Sequence, residues 1–232
     1  MSETAFLLVA DLLGFGKIVK NLPTDDLHAR MIAWTTLVET TAKAQGLDRL
    51  QLISDTIFLA APSSEHGLLS LIHFSRELLV KGIEQSFPVR GAIVHGEYTW
   101  GNLLYGPAVV AGHALEQSQN WVGISCAPAL PFTNSLWALD RLVCYLPPLK
   151  GAPIQLHPVV SWDIPPTEGL FKAMTSHGLS KLEEIMTWEF GEKATNTILF
   201  RLYQEHLKAH RLPCAQFAGL LPIHPIEGHL AH

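Results

Sequence analysis

The chain has 232 residues, enough to bury one full core, and at 16% charged residues it falls well below the roughly 25% of an ordinary soluble domain. Sixteen Lys and Arg against 21 Asp and Glu leave a formal charge of −5, which argues against a sequence-independent grip on a nucleic acid polymer, since that needs a basic surface. Hydrophobic residues make up 48%, yet no uncharged apolar run is long enough to span a membrane, so the surplus apolar surface is expected to be buried in a subunit interface.

Met1-Ser2-Glu3-Thr4 lacks the basic stretch of a secretory signal, and Asp11 interrupts the apolar run behind it. The three cysteines (Cys126, Cys144 and Cys214) are far apart and odd in number, which suits a reducing compartment, and a cytoplasmic location is expected.

Ala5-Phe6-Leu7-Leu8-Val9-Ala10 predicts a strand covered on both faces, ending at Asp11, with Gly14 and Gly16 opening a turn. The spacing of Leu27, Met31, Trp34, Leu37, Val38 and Thr41 predicts a helix from about Thr24 to Ala44, started by Thr24-Asp25-Asp26 and stopped by Gly46. Leu50 to Ala60 reads as two apolar stretches meeting at Ser54-Asp55, a hairpin bent at that pair. A second helix is predicted from Ser64 to about Gln85, and Val89 to Glu97 reads as a strand. Then come a helix from Gly106 to Gln119, a strand at Trp121–Ser125, a short helix including Leu136–Arg141, and strands near Leu142–Leu146 and Gln155–Trp162. Strands separated by helices favour one sheet with helices packed on it, an α+β class with a ferredoxin-like core. Pro165-Pro166 breaks the chain. The expected organisation is a domain at 1–164 followed by a helical extension at 165–232, with helices near Lys181–Phe190 and Lys193–Arg211 and an irregular tail.

Asp11 and Asp55 each end an apolar strand beside a turn, where an ionised carboxylate is costly unless something neutralises it. Singly, each reads as the cap of a turn or helix. Together, on adjacent strands, they can share a hard divalent cation that leaves positions open for substrate phosphates. The turn Leu12-Leu13-Gly14-Phe15-Gly16 adds backbone N–H groups near a helix start that can receive phosphate oxygens. An acidic chain would hold a triphosphate in this way.

These segments resemble the motifs of the class III nucleotidyl cyclases. Val9 to Val19 is similar to the first metal motif, a strand ending in Asp, two apolar residues, then Gly-Phe. Leu50-Gln51-Leu52-Ile53-Ser54-Asp55 is similar to the second, with Ser54 in place of the usual Gly. Val89 to Glu97 resembles the following strand, and Tyr105 to Glu116 resembles the helix that carries the transition-state residues. The likeness runs in order from residue 5 to about 162. It implies that Asp11, Asp55 and the Leu12 carbonyl bind two Mg²⁺ or Mn²⁺ ions, and that the backbone of Leu13, Gly14 and Phe15 cradles the β- and γ-phosphates. It also implies a homodimer whose active sites lie between head-to-tail subunits. Lys150 falls where the family often has a basic residue on the triphosphate, and is read equally as an exposed loop lysine.

The purine-selecting positions hold Gln51 and Leu103, and those of the transition-state Asn and Arg hold Val110 and Ala114, with His113 nearby. Both departures resemble the pyrimidine cyclases of bacterial Pycsar anti-phage systems. That likeness implies conversion of UTP or CTP to a 3′,5′-cyclic nucleotide that activates a separate effector. Gln51 can donate and accept, which suits either pyrimidine edge, with a lean to UTP. The alternatives are a divergent purine cyclase and an inactive nucleotide-sensing module. The twelve histidines form no His-Glu-x-x-His pair, Gly14-Phe15-Gly16 lacks the third glycine of a dinucleotide fingerprint, and the six scattered tryptophans read as core or interface residues.

Overall fold

The apolar run at the start of the chain becomes the central strand. In the computed structural model, which describes residues 2–133, 141–151, 155–175, 188–210 and 212, it extends over β1 (Ser2–Leu12). A short helix α1 (Phe15–Asn21) follows, then α2 (Thr24–Ala44), the hairpin of β2 (Arg49–Ile53) and β3 (Thr56–Pro62), and α3 (Glu65–Glu84). Next come β4 (Val89–Thr99), α4 (Pro107–Ser118) and β5 (Gly123–Cys126). β6 (Leu142–Tyr145), β7 (His157–Val160), α5 (Thr167–Thr175) and α6 (Trp188–Ala209) complete the described elements. The strands form one sheet in the order β2-β3-β1-β4-β5-β7-β6, antiparallel at every junction except β4 with β5. This is the expected α+β arrangement, a mixed sheet with helices packed on it.

Because strand side chains alternate between faces, β1 feeds two clusters. Phe6, Leu8, Ala10 and Leu12 join Trp34 and Leu37 of α2 and Leu68 and Leu71 of α3. Ala5, Leu7 and Val9 join a smaller cluster with Ala60, Val94 and Ala108 of α4. A strand buried on both faces reads as an unbroken apolar run, which is why its pattern was legible. On the second face α4 lies close. A Cβ on Gly112 would come within 2.7 Å of the Val9 Cγ2, so the helix rests on the strand with no side chain between them.

The helices beyond residue 164 share the main core. Leu170, Met174, Phe200 and Leu207 belong to the same cluster as Phe6 and Leu8. The Phe200 ring stands edge-on to Trp121 at 4.9 Å, the Tyr203 hydroxyl donates to the Cys144 carbonyl at 2.8 Å, and the Val122 N–H donates to Thr197 Oγ1 at 2.9 Å.

Three details differ from expectation or fall outside the described residues. The turn at Leu12–Gly16 leads into a short separate helix, α1, whose pattern is faint because Gly16 lies inside it and Ile18 alone is buried. β5 starts at Gly123 instead of Trp121, because the Trp121 indole folds back over Gly123 and donates to Gln119 Oε1 at 2.8 Å. Most of the segments Leu136–Arg141 and Lys181–Phe190, and the chain after 212, lie outside the described residues. Among the described residues no helix is long and apolar enough to cross a membrane. Trp34, Trp121 and Trp162 are core residues, as expected.

Candidate active site

Asp11 is the penultimate residue of β1, and the antiparallel register sets it opposite Arg90 of β4. On its other side the same ladder pairs Ala10 with Ile57, which brings Thr56 alongside, and the Thr56 hydroxyl donates to Asp11 Oδ1 at 3.2 Å. Asp55 occupies the two-residue loop of the next hairpin, between the paired residues Ile53 and Thr56. In this loop Ser54 takes φ 59°, the left-handed region that a side chain disfavours by about 1–2 kcal/mol. Two neighbouring strand ends thus bring the carboxyls of Asp11 and Asp55 together. Burial first, then the Asp11 charge and a hydrogen bond to the Asp11 carboxyl, push Asp55 up from 3.8 to about 7.

Both carboxyls line a cleft of about 420 Å³. One wall is the turn from Leu12 to Gly16, and four cationic side chains, Lys17, Lys20, Arg90 and Lys150, complete it. The turn is locked from within. Gly14 adopts φ 83° as the N-terminal cap of α1, and its carbonyl accepts from the N–H groups of Lys17 and Ile18 at 2.9 and 3.1 Å. The Leu13 N–H, expected to face phosphate, instead donates to the Pro88 carbonyl at 2.9 Å and is a correction to the predicted cradle. The N–H groups of Gly14 and Phe15 have no acceptor among the described residues, as befits the first turn of a helix.

Arg90 is the buried cation of the cleft. Its Nε donates to Glu116 Oε1 at 2.6 Å and its Nη1 to the Gln119 carbonyl at 3.1 Å. Gln119 is itself fixed. Its Nε2 donates to the Gly91 carbonyl at 2.6 Å, and its Oε1 accepts from Trp121 Nε1 and Ser125 Oγ, each at 2.8 Å. Glu116 is 1% exposed. Burial pushes its carboxyl up, and Arg90 pulls it partly back. The guanidinium is therefore held rigidly beside Asp11.

Lys150, predicted from the sequence, reaches this cleft because its N–H donates to the Ser118 carbonyl at 2.6 Å, tying its loop to the end of α4. Gln51 does not line the cleft. It lies in β2, with its Oε1 buried and without a hydrogen-bond partner among the described residues. Val110 and Ala114 are exposed on α4, and His113 Nδ1 lies 3.7 Å from Glu116 Oε2. Sequence reasoning missed Arg90, Lys17 and Lys20. Arg90 is embedded in an apolar strand and becomes visible only through the β1–β4 register, while the two lysines look like an ordinary helix surface.

The donor set suits a hard divalent cation. Two carboxyls are hard oxygen donors, and Mg²⁺ is commonly held by one or two of them; among the described residues no group of three or more His, Cys, Asp and Glu gathers. A pair of carboxylates that keeps one of them protonated near neutrality gains from such an ion directly.

No family model matches the chain, and no curated protein matches it by sequence. Solved structures do. The guanylate cyclase domain of RhGC from Catenaria anguillulae, in complex with GTP, superposes with a TM-score of 0.53 at 16% identity, over 69% of this chain and 98% of that one. The catalytic core of a rhodopsin-guanylyl cyclase with converted specificity, in complex with ATPαS, gives a TM-score of 0.55 at 16% identity, over 69% and 98%. The adenylyl cyclase CyaB from P. aeruginosa gives 0.50 at 17%, over 69% and 96%. The chain has the class III nucleotidyl cyclase fold.

Proposed function

We propose that this chain is a metal-dependent nucleotidyl cyclase that converts a pyrimidine nucleoside triphosphate, UTP in preference to CTP, to its 3′,5′-cyclic nucleotide and pyrophosphate. The observation that carries the reading is the convergence in one cleft of two like-charged carboxyls, four cations and two unpaired backbone N–H groups. Asp11 and Asp55, with the Leu12 carbonyl, would hold two Mg²⁺ or Mn²⁺ ions. When bound, such ions supply the charge that acidifies the ribose 3′-hydroxyl and neutralises the triphosphate.

The chain's own groups do the rest of the positioning. The N–H groups of Gly14 and Phe15 donate to phosphate oxygens, and Arg90 and Lys150 set positive charge where the pyrophosphate leaves. The rigid mounting of Arg90 on Glu116 and Gln119 means that little reorganisation is needed as the O3′–Pα bond forms and the bond from Pα to pyrophosphate breaks.

Gln51 lies outside the cleft of its own chain, so the base would meet Gln51 of the partner subunit in a homodimer. Exposed apolar residues support that assembly: Leu103, Tyr105 and Val110 on and before α4, and Ile53 at the end of β2. The absence of a purine selector at Gln51 and Leu103 supports a pyrimidine, and the chain's resemblance to anti-phage cyclases supports a signal read by a separate effector.

Incubation of the purified protein with each of the four nucleoside triphosphates and Mn²⁺, read by chromatography, tests the proposal. Cyclic UMP should dominate, and Asp11→Ala and Asp55→Ala should each abolish it. A cyclic purine product would establish a divergent purine cyclase. A second reading, a catalytically inactive nucleotide-sensing module, is favoured by the exposed, non-polar Val110 and Ala114 at the transition-state positions. It prevails if no triphosphate turns over while both aspartate variants keep the cellular phenotype.

A further inference from the structure

A second cleft, of about 480 Å³, lies between α3 and the segments flanking β6 and β7, and it shares no lining residue with the metal cleft. His73, Arg76 and Val80 face it from α3, at helical spacings of three and four, and Arg141 closes it from just before β6.

Its cations are unusually placed for an acidic chain. Carboxylates line it too: Glu77 is paired with Lys81 and Gln45, and Asp163 lies 3.9 Å from Lys208. Glu84, also on the rim, is exposed. Neither guanidinium in the cleft has a carboxylate partner among the described residues. Arg76 spends one N–H on the Ser161 carbonyl, and the Arg141 Nε is buried with no acceptor among the described residues.

These groups also crowd each other. Burial first, then the charge of Arg141, holds Arg76 below its usual range, with Asp163 pulling it partly back, and burial with the charges of Arg141 and Arg76 lowers His73. Two arginines and a histidine thus face one cleft, with no carboxylate within ion-pair distance of either guanidinium among the described residues, and an anion seated among them would be drawn to both.

We propose that this cleft is a binding site for a small molecule bearing one phosphate group, separate from the catalytic centre. Arginine forks match phosphate oxygens in pairs of hydrogen bonds, and Arg76 and Arg141 both line the cleft. The volume fits a ligand of mononucleotide size. Glu77, Glu84 and Asp163 on the rim limit the ligand to one compact anion, because a polyphosphate or a nucleic acid backbone would run against them. The site stands independently of the cyclase reading, since it uses none of the metal cleft's residues.

The test is isothermal titration of the full chain with inorganic phosphate in buffer free of divalent ions. The expected result is saturable 1:1 binding that weakens by about tenfold or more in Arg141→Gln, through loss of a charged hydrogen bond, weakens also in His73→Gln, and is unchanged in Lys150→Gln. Circular dichroism melts check the fold of each variant, and if Arg141→Gln does not fold as the parent does, His73→Gln decides. The proposal is overturned if phosphate gives no saturable heat, if both cleft variants bind as the parent does, or if Lys150→Gln weakens binding as much as they do, which would put the phosphate in the metal cleft.

Discussion

Replacing Asp55 by Asn should make the metal-free protein more stable while abolishing its turnover. The side chain keeps its shape and loses the charge that burial first, and then Asp11, opposes. Asp55 titrates near 7 when folded, against 3.8 when unfolded, so the fold favours its protonated form. The metal-free protein must therefore lose stability as the pH rises from about 4 to about 7, and the loss is complete above that window. A shift of that size corresponds to about 4 kcal/mol in full, and partial solvent access cuts it to about 1–2 kcal/mol. For a chain of this length that is a rise in Tm of about 2–8 °C for Asp55→Asn at pH 8, with no difference at pH 4. Calorimetric melts in chelator, at both pH values, measure it. Added Mn²⁺ should raise the Tm of the parent and leave the variant unmoved. An Asp55→Asn protein that melts with or below the parent at pH 8, with unchanged circular dichroism, would refute the view that two carboxylates repel in the empty cleft.

Removing the Arg90 guanidinium strands the Glu116 carboxylate in the interior. Arg90→Gln should cost about 3–5 kcal/mol in urea unfolding at pH 8, and adding Glu116→Gln should recover most of it. Ser54→Gly relieves the left-handed strain of the hairpin loop and should stabilise by about 1 kcal/mol in the same assay; a neutral or destabilising result would contradict that reading of the loop. Truncation after residue 164 exposes the core surface now covered by Leu170, Phe200 and Leu207, and the shortened chain should show no cooperative thermal transition. A truncated protein that melts sharply near the parent's Tm would show that residues 165–232 are separable.

Much of the fold could be read from the sequence because β1 is buried on both faces and α2 and α3 carry clear helical periodicity. Asp11 and Asp55 were legible for the same reason, since each interrupts an apolar run at a turn. Lys150 became a candidate only through resemblance, because ninety-odd residues of chain lie between it and Asp55 and no local pattern links them. Arg90 could not be found by pattern at all. Its place beside Asp11 depends on which residue of β4 pairs with which residue of β1, and register is set by the whole sheet. Leu13 shows the reverse error: the sequence offers its N–H to a phosphate, and only the packed structure reveals Pro88 as the acceptor. The helical periodicity of α6 was visible too, but periodicity does not say which core a helix will face.

The position of α6 bears on how the protein can be made. Phe200 and Leu207 are interior neighbours in a cluster that also holds Phe6 and Leu8, so the first and last described elements of the chain close the same core. A ribosome releases Asp11 and Asp55 long before α6, yet the interior that supports them stays open until α6 has emerged. Until then the nascent chain displays an apolar face beside Trp121 and Tyr145, the surface on which Phe200 later sits. Folding must therefore wait until α6 has been synthesised, and a chain ended before it would carry both aspartates with no finished core to hold them.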